Sequence, residues 1–183
     1  MGNPQTVVAE RFLLTDSNGT VRAVLGVNEQ GEVVFGLSDA RGNIRADVSV
    51  TAAGLPRVEL SDSAGNTRAL MCVDEQDTPA ISLYDGRMSR LVLSVNADGP
   101  FVALADEQSR RQVTLAATRD TALAIFQDSG GRAAVTAGIG ADQVAGFFVA
   151  GPGDTPRLQL AMRGDGTADL VVSDPAGTIT TVP

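Results

Sequence analysis

Asp16-Ser17-Asn18-Gly19-Thr20-Val21-Arg22-Ala23 is the stretch that decides the fold, because it returns. It recurs as Asp39-Ala40-Arg41-Gly42-Asn43-Ile44-Arg45-Ala46 and as Asp62-Ser63-Ala64-Gly65-Asn66-Thr67-Arg68-Ala69, each copy 23 residues after the last. Self-similarity at a fixed period of this size marks a repeat architecture. The series continues at Asp85, Asp106 and Asp128; Gly151 then takes the place of the aspartate, and Asp174 follows. The 183 residues therefore read as about eight copies of one unit in a single repeat domain. The units lie near 10–31, 32–54, 55–77, 78–99, 100–121, 122–143, 144–166 and 167–183.

Each unit predicts two short strands and two turns. The first strand places apolar residues two apart: Phe12/Leu14, Phe35/Leu37, Val58/Leu60, Ile81/Leu83, Val102/Leu104, Ala124/Phe126, Phe147/Val149 and Leu170/Val172. The second repeats the pattern in Ala23/Leu25/Val27, Ala46/Val48/Val50, Ala69/Met71/Val73 and Leu91/Leu93/Val95. Period two is the signature of a strand, and no segment sustains the spacing of an amphipathic helix. These alternating residues are the predicted core. In Asp-x-x-Gly the carboxylate can accept backbone N–H groups while the glycine supplies a positive φ, which predicts a type I turn closed by a glycine bulge. A second turn falls half a unit away, as in Asn28-Glu29-Gln30-Gly31 and Thr51-Ala52-Ala53-Gly54. Pro56, Pro79 and Pro100 follow such turns, where a strand can begin without donating a ladder hydrogen bond. The expected fold is all-β, a β-solenoid or prism-like stack of two-strand repeats, with an antiparallel barrel or propeller as the alternative.

The run from Arg11 to Val27 resembles the Asp-x-x-Gly-x-x-Arg-Ala-x-Leu unit of bacterial tandem-repeat β proteins that have no established activity. The resemblance spans about Glu10 to Val182 and is clearest through residue 100. It implies a bacterial, structural repeat protein, and it carries over no functional residue.

Composition narrows the chemistry. Histidine and tryptophan are absent, and every one of the 14 basic residues is arginine. That removes Ser-His-Asp machinery, imidazole metal ligands, a phosphate-loop lysine and Schiff-base chemistry. A net charge of −8 disfavours nucleic acid and anionic membrane surfaces as partners. No apolar run approaches the ~20 residues of a membrane-spanning helix. The polar start at Met1 lacks a basic n-region and an apolar h-region. The expectation is a soluble chain, cytoplasmic as written or an exported domain lacking its leader. Cys72, the one cysteine, sits between apolar neighbours and reads as a small buried residue.

Three groups are candidate sites. The aspartates Asp16, Asp39, Asp62, Asp85, Asp106, Asp128 and Asp174, with Arg22, Arg45, Arg68 and Arg90, read as turn caps bridged by ion pairs; a charged strip for a polymer is the functional alternative. The second turns carry Glu29, Asp77, Asp98, Asp120, Asp142 and Asp165. Asp98, Asp120, Asp142 and Asp165 recur at 22, 22 and 23 residues, so stacking would gather carboxylates for a Ca²⁺ ion, against a solvated edge that deters aggregation. The residue between the two core positions of strand one becomes apolar late in the chain, which makes Ile125, Phe148 and Val171 a candidate interface. Nearby, the insertion Gly151-Pro152-Gly153-Asp154-Thr155-Pro156 replaces a regular turn. No acid breaks the repeat as a catalytic group should, so no catalytic residue and no cofactor are expected. The predicted function is a non-enzymatic structural, scaffold, adhesion or fibre protein. It is expected to be a homo-oligomer, trimeric in the first instance, with a polysaccharide or cell surface as the outside partner. A carbohydrate- or Ca²⁺-binding module acting through the acidic turns is the alternative.

Overall fold

A computed structural model describes residues 6–108, 110–151, 156–173, 176 and 179–182. Asp174 and the interior of the insertion, residues 152–155, lie outside the described residues. The chain divides into two compact units, Met1–Arg87 and Met88–Pro183. The boundary falls inside the fourth predicted repeat.

Alternating apolar residues between turn signals give strands throughout. The first unit contains β1 (Arg11–Thr15), β2 (Val21–Val27), β3 (Val33–Ser38), β4 (Ile44–Val50), β5 (Pro56–Ser61), β6 (Thr67–Val73) and β7 (Pro79–Asp85). The second contains β8 (Met88–Asn96), β9 (Gly99–Ala105), β10 (Arg111–Ala117), β11 (Ala122–Gln127), β12 (Ala133–Ile139), β13 (Ala145–Ala150), β14 (Pro156–Met162), β15 (Ala168–Ser173) and β16 (Ile179–Val182). Within each unit every strand pairs antiparallel with its neighbours in sequence. The repeats add edge to edge as a one-dimensional stack, and neither unit closes into a barrel among the described residues. No helix of the described residues is long and apolar enough to cross a membrane.

The first turn forms as its sequence dictates. The Gly19 amide donates to the Asp16 carbonyl at 3.0 Å, and the Asp16 amide donates to the Thr20 carbonyl at 3.0 Å. The Asp16 Oδ1 accepts the amides of Asn18 and Thr20 at 2.9 and 3.1 Å. Gly19 sits at φ +81°, and the register slips between Leu14 and Thr15, as a type I turn with a glycine bulge requires. Asp39 and Asp62 build the same turn with Gly42 and Gly65.

Pairing registers sort the side chains into two unlike faces. Phe12 lies opposite Leu25, Leu25 opposite Phe35, Phe35 opposite Val48, Val48 opposite Val58, Val58 opposite Met71 and Met71 opposite Ile81. The second unit continues the rule: Leu93 with Val102, Val102 with Leu115, Leu115 with Ala124 and Ala124 with Ala137. In each unit the predicted core residues share one face, but they are not buried. Many of the large ones are exposed, up to 64% at Leu14, while Val73, Leu91, Val102, Val149 and Leu170 are half-buried. Among the described residues the only buried apolar side chains are Ala103 and Ala161, at 6% and 2%. The alternation marks the right face, and the predicted burial fails because each unit is one sheet thick. A core needs a second layer to pack on, and turns of a few residues supply none.

Candidate functional site

The apolar face of each unit is chemically distinct from the face behind it. In each unit the positions of this face that the pairing registers join, through β15, hold no charged residue and no polar side chain. The opposite face is mixed. In the first unit its central row reads Leu13, Val24, Gly36, Asp47, Glu59, Leu70, Ser82. Glu59 accepts the Thr67 hydroxyl at 2.6 Å, and Asp47 accepts that of Ser49 at 2.9 Å. The Arg57 Nε donates to the Ser49 Oγ at 2.9 Å, and its guanidinium stands 3.5 Å from Glu32. Cys72 lies here opposite Arg57 and Ala80; it is half-buried on the polar face rather than enclosed by apolar neighbours.

Ile125, Phe148 and Val171 lie on this second face, as the alternation requires. Their row reads Thr114, Ile125, Thr136, Phe148, Gln159, Val171, so a polar side chain separates each from the next. They do not merge into a patch. Phe148 is half-buried because Gly146 leaves room for its ring: a Cβ at Gly146 would meet Cε2 at 2.6 Å.

The turn edges hold the charge. Asn66 donates to Asp62 from its backbone and its side-chain amide, and with Arg68 this holds the carboxyl below its ordinary 3.8. Hydrogen bonds from the Arg110 and Arg132 guanidinium groups do the same for Asp106 and Asp128. At Asp16 and Asp39 partial desolvation pushes the other way, yet the turn amides and Arg22 or Arg45 outweigh it and the carboxyls are again lowered. The ion pairs bridge each turn, with Arg22–Asp16 at 3.5 Å and Arg45–Asp39 at 3.7 Å.

The same arginines do something the sequence did not reveal. The Arg22 Nε donates to the carbonyl of Ser38 at 3.1 Å, Arg45 to Ser61 at 2.8 Å and Arg90 to Ala105 at 2.8 Å. Each acceptor ends the first strand of the following repeat. The β2–β3 ladder stops at Ala23 opposite Leu37, and the guanidinium takes the next carbonyl. After Arg90 the cation moves to the residue following the turn. Arg110 and Arg132 pair with Asp106 and Asp128 at 2.7 Å, and Arg110 Nη1 reaches the Ser129 carbonyl at 2.7 Å. The readable signal is the arginine column; its partner, a backbone carbonyl just past the end of a ladder, has no sequence of its own.

The proposed Ca²⁺ ligands are not brought together. Asp98, Asp120, Asp142 and Asp165 occupy successive exposed turns, two strands apart, which spaces them by ~10 Å. Among the described residues no group of three or more acids or cysteines could hold a metal ion. The hydroxyl and amide of Thr167 and the charge of Arg163 lower Asp165. Arg163 is itself raised by its bond to Asp169, with smaller effects from Asp165 and Asp142, so an arginine sits among these acids.

No family model matches the chain, and no curated protein matches it in sequence. Among solved structures it is similar to the wild-type TCP10 domain of CPAP from Danio rerio at 14% identity. The match covers 92% of this chain and 91% of that one, with a TM-score of 0.28, a likeness that carries no argument about function.

Proposed function

We propose that the chain is a non-enzymatic structural protein, a scaffold or fibre module of the bacterial repeat type its units resemble, working as a homo-oligomer. The observation that carries this reading is the apolar face. Soluble monomers rarely leave more than a few hundred Å² of contiguous apolar surface in water. Repetition also serves a scaffold: it gives a long regular surface in which every unit has the same environment. Sedimentation velocity with and without Ca²⁺ tests the reading. The expected result is a species heavier than 18.8 kDa, indifferent to Ca²⁺ and to chelator. A single species of 18.8 kDa would contradict it, and a Ca²⁺-dependent shift would favour a binding module instead.

A further inference from the structure

We propose that a second copy of this chain covers the apolar face, its own first unit packed face to face and offset by one strand. This rests on the homo-oligomeric reading above and names its surface. Two observations select a copy of the chain as the occupant.

Area is the first. Seven strands ~4.8 Å apart, with a face about five residues or ~17 Å deep, cover ~570 Å². The nine strands of the second unit cover ~730 Å². Two first units face to face, six strands of each overlapping, bury ~980 Å² between them, close to the ~1,000 Å² that a specific interface needs. The charges that would repel a second copy of net charge −8 lie in the turns and on the other face.

Self-complementarity is the second. Along the turn-proximal row the first unit reads Leu14, Ala23, Leu37, Ala46, Leu60, Ala69, Leu83, one residue per strand. Large and small side chains alternate strictly, with a period of two strands. A two-fold axis parallel to the strands and passing between two neighbouring strands converts each leucine position into an alanine position. With the axis between β3 and β4, Leu37 of one copy stands over Ala46 of the other, Leu60 over Ala23 and Leu14 over Ala69. The axis keeps position along the strand, so every row faces itself. Such interdigitation of large and small residues is how facing layers reach native packing density. A partner of other sequence would have to reproduce the same two-strand period to fill the same notches. Ile125, Phe148 and Val171, on the opposite face, take no part.

Light scattering after size exclusion tests this on four full-length chains: wild type, Leu37→Asp with Met71→Asp, Ala69→Phe, and Ile125→Asp. Leu37 and Met71 are 45% and 51% exposed, so the chain can accept the charges, and circular dichroism confirms the strands. Wild type is expected at twice 18.8 kDa. The double aspartate variant should fall to half that mass, and Ile125→Asp should not. Ala69→Phe keeps the face apolar but fills a notch, so it should weaken the dimer at least tenfold. Wild type at 18.8 kDa overturns the oligomeric reading and this surface with it. A wild-type oligomer that survives the double aspartate variant overturns the surface alone. A threefold mass, or a dimer unmoved by Ala69→Phe, overturns the staggered pair.

Discussion

Gly19, Gly42 and Gly65 show how much a single position in this chain has to do. All three sit near φ +80° with open space where a Cβ would go, so replacing one costs backbone strain alone, about 1 kcal/mol for alanine. Gly138 is different. It lies inside β12 at φ +152°, and an added Cβ would collide with the Ala122 carbonyl oxygen. Gly138→Ala should cost about 3 kcal/mol in urea unfolding, several times the cost of Gly65→Ala. The reverse change should help at Gln143, which holds the turn-glycine position at φ +62° without being glycine. Gln143→Gly is expected to raise stability by about 1 kcal/mol, read as a higher melting temperature. The aspartates set the acid limit. Asp62, Asp106 and Asp128 have folded values below 3.8, so their contribution is complete above that pH and is lost as pH falls below it. The melting temperature should hold down to about pH 4 and then drop steeply. Asp62→Asn, which keeps an oxygen for the Ala64 and Asn66 amides, should blunt the drop, while Asp62→Ala should destabilise at every pH.

At the scale of the element, the turns were fully legible and the staples were not. Asp-x-x-Gly specifies its own hydrogen bonds, because carboxylate, amides and glycine all lie within four residues. The Arg45 Nε reaches a carbonyl 16 residues away, and the sequence names the donor but not the acceptor. The acceptor exists because the β4–β5 ladder stops at Ala46 opposite Leu60, one residue short of Ser61. Arg45→Ala should therefore cost about 1 kcal/mol. Arg45→Lys should not restore it, since an ammonium cannot bond the carbonyl through a planar Nε–H while also facing Asp39. Chemical denaturation of the two variants checks this, and a full rescue by lysine would show that charge alone matters. The metal reading turns on spacing at the same scale. Residues in equivalent turns of an antiparallel meander are two strands apart, too far for Asp98, Asp120, Asp142 and Asp165 to share an ion, whereas a stack with one strand per repeat would have halved the gap.

For the molecule as a whole, period two located the apolar face residue by residue, yet burial could not be inferred from it. A pattern such as Phe35-Gly36-Leu37 says which side chains point together and is silent on whether another layer meets them. Here the partner layer is absent from the chain's described residues, so the face that reads as a core is exposed. The late apolar residues Ile125, Phe148 and Val171 depart from the repeat. The stronger surface is the one that obeys it, the Leu–Ala ladder from Leu14 to Leu83. The most direct test is methyl NMR on a refolded mixture of labelled and unlabelled chains, filtered for contacts between copies. The account predicts intermolecular contacts joining Leu37 to Ala46 and Leu60 to Ala23. Contacts confined to Ile125 and Val171, or none from the apolar face, would contradict it.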